Sequence, residues 1–197
     1  MKAIRFISIT ATILLLAGCS YVKYNKVFSS NDEFTNEKRS MVRIRLWPEE
    51  KYNDINEATM ICEGVSKGEA RMVRFYFSIP RTLSGFRVKD EGFIKVGGNK
   101  YKVIPEEPVS MLRHDNDVSI SMFAASDSTG SRTRQTTDID SRTWVEEKFM
   151  ITVAENVLND MGKADNMLFR FYFGPVTITF PVKGFKYDLV AKAAGVK

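Results

Sequence analysis

The chain has a single histidine, so any histidine-dependent chemistry must pass through His114. It stands in Arg113-His114-Asp115-Asn116-Asp117. A Ser-His-Asp or Cys-His hydrolase needs such a base within reach of a nucleophile. No serine here lies in a G-x-S-x-G elbow, so nucleophilic catalysis is not expected and the chain is read as a non-enzyme. Asp115 and Asp117 offer oxygens to a cation, but calcium takes six to eight, and the glycine and glutamate of an EF-hand loop are missing. Structural zinc wants four ligands, more than His114 and Cys62 supply. An ordinary polar turn is expected at this stretch, with no metal and no cofactor. Paired carboxylates are the remaining option, at Glu106-Glu107, at Glu146-Glu147, or at Asp138 with Asp140. Neighbours on a strand point to opposite faces, so Glu146 and Glu147 cannot flank one substrate. Glu106-Glu107 lies between Pro105 and Pro108 and is expected to be a solvated bend.

The other reactive side chains are two cysteines. Cys62 lies in the apolar run Ala58-Thr59-Met60-Ile61-Cys62 and is expected to be a small buried hydrophobe. Cys19 follows two basic residues, Lys2 and Arg5, and an apolar run from Phe6 to Leu16. A charged head, a short apolar middle and small residues before a cut site describe an export signal. The apolar part is too short for a bilayer core that needs roughly 20 residues. Leu16-Ala17-Gly18-Cys19 resembles the lipobox of bacterial lipoproteins. The resemblance implies that the Cys19 thiol carries a diacylglyceryl group, and that cleavage before it makes Cys19 the first mature residue. Residues 1–18 would then be removed, 19–40 would form the lipidated N-terminus and a tether, and 41–197 a single β-rich domain. Ser20 replaces the aspartate that resembles an inner-membrane retention signal, so the outer membrane is expected, with the domain facing the periplasm.

The formal net charge is +5, and Lys2 and Arg5 leave with the signal. No stretch combines clustered Lys and Arg with stacking aromatics, so nucleic acid is not an expected partner.

These groups must be held by strands. Between Ser20 and Ser40, Tyr21, Val22, Tyr24, Val27 and Phe28 are more than a pure tether needs, and a first irregular edge strand is expected there. Met41–Trp47 alternates apolar and polar residues with period two, as a half-buried strand does. So do Ala70–Pro80, Val118–Ala124 and Trp144–Thr152, with a shorter strand near Thr59–Glu63. Phe93–Val96 and Lys100–Ile104 flank Gly97-Gly98-Asn99 and read as a hairpin. Ser126–Thr143 is hydrophilic and is expected to be a long loop. Thr152-Val153-Ala154-Glu155 fits a capping box opening a short helix that Gly162 stops. Asn166–Phe173 and Val176–Phe180 form a second hairpin about Gly174-Pro175. A last helix is expected over Gly184–Ala194, with Phe185, Leu189 and Ala193 facing a sheet.

This pattern predicts a mainly β fold, a β-sandwich or curved antiparallel sheet with two short covering helices near the C-terminus. Arg-Phe-Tyr-Phe occurs twice, at Arg74–Phe77 and Arg170–Phe173. Outward Arg43, Arg45, Arg74, Tyr76, Arg170 and Tyr172 suggest a basic, aromatic face for an anionic glycan, lipid head groups or an acidic protein. From Thr152 to Leu189 the succession of short helix, Lys-Ala-Asp turn, hairpin and Lys183-Gly184-Phe185 resembles the C-terminal part of periplasmic proteins and lipoproteins, and more distantly the invasion-associated locus B family. That resemblance implies a β-rich fold and an envelope location, and carries over no catalytic residue. The functional expectation is a lipid-anchored envelope protein with a binding or structural β-domain. A cell-surface adhesin is the alternative, and an envelope hydrolase using His114 a third.

Overall fold

The computed structural model describes residues 24–50, 52, 54–127 and 130–196, with only the backbone described over 116–127 and 130–140. Among the described residues, ten strands and two helices run in the order β1 (Val27–Asp32), β2 (Glu37–Leu46), β3 (Ala58–Lys67), β4 (Ala70–Arg81), β5 (Val88–Val96), β6 (Asn99–Val103), β7 (Glu106–Asp127), β8 (Gly130–Val153), α1 (Glu155–Met161), β9 (Asn166–Phe173), β10 (Val176–Lys183) and α2 (Phe185–Ala193). They form a six-stranded sheet, β1-β2-β3-β4-β8-β7, and a four-stranded sheet, β10-β9-β5-β6. The pairs within both sheets are antiparallel. The mainly β expectation with two late helices is met.

Alternation decides which residues meet between the sheets. Val42, Ile44 and Leu46 of β2, Met60 and Cys62 of β3, and Val73, Phe75, Phe77 and Ile79 of β4 are buried on one side. Ile94, Met167, Phe169, Phe171, Ile178 and Phe180 are buried on the other. The two Arg-Phe-Tyr-Phe segments lie in β4 and β9, interior strands of opposite sheets. Their phenylalanines meet edge to face, Phe77 with Phe171 at 4.9 Å between ring centres. Phe169 extends the cluster, 5.1 Å from Phe75 and 5.0 Å from Phe77. Such pairs are worth about 0.5–1.5 kcal/mol beyond the area that they bury.

Five sequence expectations are corrected here. The stretch Ser126–Thr143 is not a loop: β7 and β8 pair in continuous register from Val109↔Lys148 to Asp127↔Gly130. Pairing needs only backbone groups, and threonine's branched Cβ favours extended backbone. The turn expected at His114 is likewise part of β7, with His114 opposite Thr143. Beyond its last β4 partner, Arg81↔Val145, this hairpin continues as a two-stranded ribbon. From Arg113 to Asp127 the ribbon runs about 50 Å at strand rise.

The capping box does not form. Thr152 is still in β8 opposite Arg74, its amide donates to Glu106 at 3.2 Å, and Ala154 caps α1 without a side-chain bond. The face of α2 also differs. Tyr187, Val190, Ala191 and Ala193 are buried, while Phe185 is 60% exposed. The helix reaches β3 so closely that a Cβ on Gly64 would stand 2.3 Å from the Ala193 carbonyl oxygen. Alanines suit that approach and a phenylalanine does not. The Tyr187 hydroxyl donates to the Met161 carbonyl at 2.6 Å, tying α2 to α1.

β1 supplies the edge strand expected before Ser40, and its register with β2 is regular from Val27↔Val42 to Asp32↔Glu37. The fifth correction, the division of the outward Arg and Tyr residues between two sheets, belongs to the site.

Candidate functional site

The outer face of the six-stranded sheet carries the richest set of side chains. Register puts Arg43, Ile61, Tyr76 and Met150 in one row across β2, β3, β4 and β8. The next rows hold Met41, Glu63, Arg74 and Thr152, and Arg45, Thr59, Ser78 and Lys148. They enclose a shallow depression of about 550 Å³, with Met41, Ile61 and Met150 among its lining and Arg39, Glu63, Glu146 and Lys148 about them. Arg170 and Tyr172 are absent from this face because β9 belongs to the other sheet. The single basic face expected from the sequence is therefore two faces.

Most charges on the larger one are paired. Arg39 reaches Glu37 at 3.1 Å and Glu63 at 3.3 Å. Arg45 meets Glu57 at 3.4 Å. Arg113 and Lys148 converge on Glu146 at 2.6 and 3.4 Å. Burial raises the Glu146 carboxyl, but hydrogen bonds from Ser78 and Arg113 and the Lys148 charge outweigh it and hold the group below its usual range. Glu63 is 6% exposed and accepts the Tyr76 hydroxyl at 2.8 Å. Burial and that carboxylate push the phenol up. Arg43 and Arg74 are half-buried, and each keeps a buried Nε without an acceptor.

Arg43 instead lies under an aromatic ring. Tyr24 places its ring centre 4.5 Å from the Arg43 guanidinium and 5.3 Å from that of Arg45. Its hydroxyl shares a 3.1 Å hydrogen bond with Thr59, and the next amide, of Asn25, donates to the Arg43 carbonyl at 2.8 Å. The first described residue of the chain is thus pinned to β2 and β3. Cys19 itself lies outside the described residues.

The other candidates are scattered. His114 is exposed on the ribbon, its Nδ1 2.8 Å from the Thr143 hydroxyl. Glu107 is exposed with φ 51°, and Glu106 is committed to the Thr152 amide. Asp138 and Asp140 lie in β8 where only the backbone is described. Cys62 is fully buried, its thiol 3.8 Å from the Val190 carbonyl, and desolvation pushes its pKa far above the usual thiol range. Such a thiol is not a nucleophile at neutral pH. Among the described residues no group of three or more His, Cys, Asp or Glu side chains is placed to hold a metal ion.

Glu146 and Glu147 do point apart, the first outward and the second into the sandwich. Glu147 is 1% exposed and pairs with buried Arg81 at 3.3 Å. Ser110 donates to the same oxygen at 2.6 Å, and Glu147 Oε1 has no hydrogen-bond partner. Arg81 also donates to the Gly85 carbonyl at 2.6 Å. This ion pair, at the base of the ribbon, was missed as a unit. Half its signal was visible, since alternation through β8 places Glu147 with Phe149 and Ile151.

No protein family, curated protein or solved structure matches the chain. The outer face joins a shallow apolar strip to charges most of which are already paired, which suits contact with an extended segment or a surface more than the stabilisation of a reacting atom.

Proposed function

We propose that the chain is a lipid-anchored bacterial envelope protein, held through acylated Cys19, whose β-sandwich serves a binding or structural role. One observation carries the reading: Lys2 and Arg5, the apolar run Phe6–Leu16 and Leu16-Ala17-Gly18-Cys19 occur in the order that export and acylation require. The membrane partner is the bilayer itself, entered by acyl chains that contribute about 0.8 kcal/mol per buried CH₂. Among the described residues no helix is long and apolar enough to cross a membrane. A binding role is favoured over a hydrolytic one by the dispersal of His114, Cys62 and the carboxylates over separate parts of the fold. The second partner would dock on the outer face of the six-stranded sheet, as a protein or an anionic glycan. The location that follows from Ser20 is the outer membrane, with the domain in the periplasm.

Metabolic labelling with palmitate tests the anchor. Label should appear on the wild type and vanish in Cys19→Ala, and label that survives the substitution would sink the assignment. A cell-surface adhesin is the second reading, favoured by the ribbon that β7 and β8 extend past the sandwich. Protease added to intact cells separates the two, since a periplasmic domain is spared and a surface one is cut.

A further inference from the structure

We propose that the corner of the sandwich formed by Trp47, Phe185 and Lys186 is a second membrane contact, which seats the domain against the lipid surface instead of letting it stand off. The proposal rests on acylation of Cys19 and deepens that reading.

Two independent observations lead to it. The first is reach. Tyr24 is fixed to β2 and β3 through its ring, its hydroxyl and the Asn25 amide. Only five residue steps separate it from Cys19, and a fully extended chain covers at most about 18 Å in that span. The tether expected over residues 19–40 is therefore cut short where Tyr24 docks. The backbone at Cys19 can therefore stand no further than that from Tyr24, which lies on Arg43 and Arg45.

The second is the chemistry beside that docking point. Trp47 is 54% exposed and Phe185 60% exposed. Lys186, next to Phe185 in the chain, reaches Trp47: its ammonium lies 4.0 Å from the Trp47 ring centre and donates to the Arg45 carbonyl at 2.7 Å. Arg45 in turn lies under Tyr24. Tyr24, Arg45, Trp47 and Lys186 therefore form one contiguous patch. Single exposed apolar residues are common on any surface. Aromatic rings flanked by cations are what the boundary between head groups and acyl chains accepts, with the ring in the boundary and the charge among phosphates. A lipid surface is the occupant that both the reach and the composition select.

The experiment uses the mature, lipidated protein in phosphatidylcholine vesicles with brominated acyl chains. Trp47 and Trp144 are the two tryptophans of the chain, so Trp144→Phe leaves Trp47 as sole reporter and Trp47→Phe leaves Trp144 as control. The expected result is that the protein floats with the vesicles, and that Trp47 emission is quenched by bromine and shielded from iodide. Trp144 should stay open to iodide and untouched by bromine. A protein that floats while Trp47 is as accessible to iodide as it is without vesicles overturns the proposal but leaves the anchor standing. Shielding from iodide without bromine quenching also overturns it, because a protein surface, such as a second copy, would then cover the patch. A protein that does not float overturns the anchor and this proposal together.

Discussion

The two sides of the six-stranded sheet are built from the same strands and solve opposite problems. Phe77 and Tyr76 are neighbours in β4. Phe77 packs against Phe149, Phe169 and Phe171 between the sheets, whereas Tyr76 holds a buried carboxylate on the outer face. The inner side gains from shape and desolvation, and among the described residues it holds charge as the Arg81–Glu147 pair. The outer side keeps many charges, nearly all with a partner, over a thin apolar strip. Fold stability therefore resides inside, and the capacity for contact with another molecule outside.

Substitutions in adjacent residues sharpen that contrast. Phe77→Ala should cost about 3–5 kcal/mol, the usual range for emptying an aromatic core site. Tyr76→Phe, which removes only the hydroxyl from Glu63, should cost about 1–2 kcal/mol. Chemical denaturation of both variants checks the pair, and equal losses would erase the distinction between the faces.

The buried ion pair offers a second comparison. Glu147→Ala alone leaves Arg81 charged and buried, a change that typically costs about 3–5 kcal/mol. The combined Arg81→Met and Glu147→Leu change should recover most of that loss, since apolar replacements of buried pairs are often neutral. A double change as damaging as the single one would mean that the pair itself, with Ser110 and the Gly85 carbonyl, sets the base of the ribbon.

The smallest effect lies outside. The Glu146 carboxyl is depressed below 4.5 in the folded protein, so its contribution is complete above the unfolded value and is lost as pH falls through the folded one. The expected difference between wild type and Glu146→Gln is below about 1 kcal/mol at neutral pH, as for other half-exposed pairs, and should shrink as pH falls below 4.5. Thermal melts across that window measure it, and a gap that does not narrow would deny Glu146 the role of charge partner to Arg113 and Lys148.

Much of the inner side was legible because hydrophobic contrast is what period two reveals. The strands through Met41–Trp47, Ala70–Pro80 and Asn166–Phe173 all bury the residues that alternation assigned to one face. The ribbon was hidden for the same reason, since Ser126–Thr143 offers little contrast and its extended backbone is set by pairing with β7. Alternation says that Arg74 and Arg170 point outward, but not that they lie on different sheets, because sheet membership depends on long-range register. The face of α2 depended on Gly64, far away in sequence. Thr152 and Glu155 carry a capping pattern that the last rungs of β8 override. Tyr24 stood out only as one aromatic too many for a tether, and its role became visible once Arg43, Arg45 and Thr59 were brought beneath it.

The most direct test of the anchored reading is the intact mass of the protein extracted from its own membranes. A chain beginning at Cys19 and heavier by a diacylglyceryl group, with or without a further acyl chain on its amine, is the expected result. A mature protein that begins elsewhere, or that carries an unmodified Cys19, would contradict it.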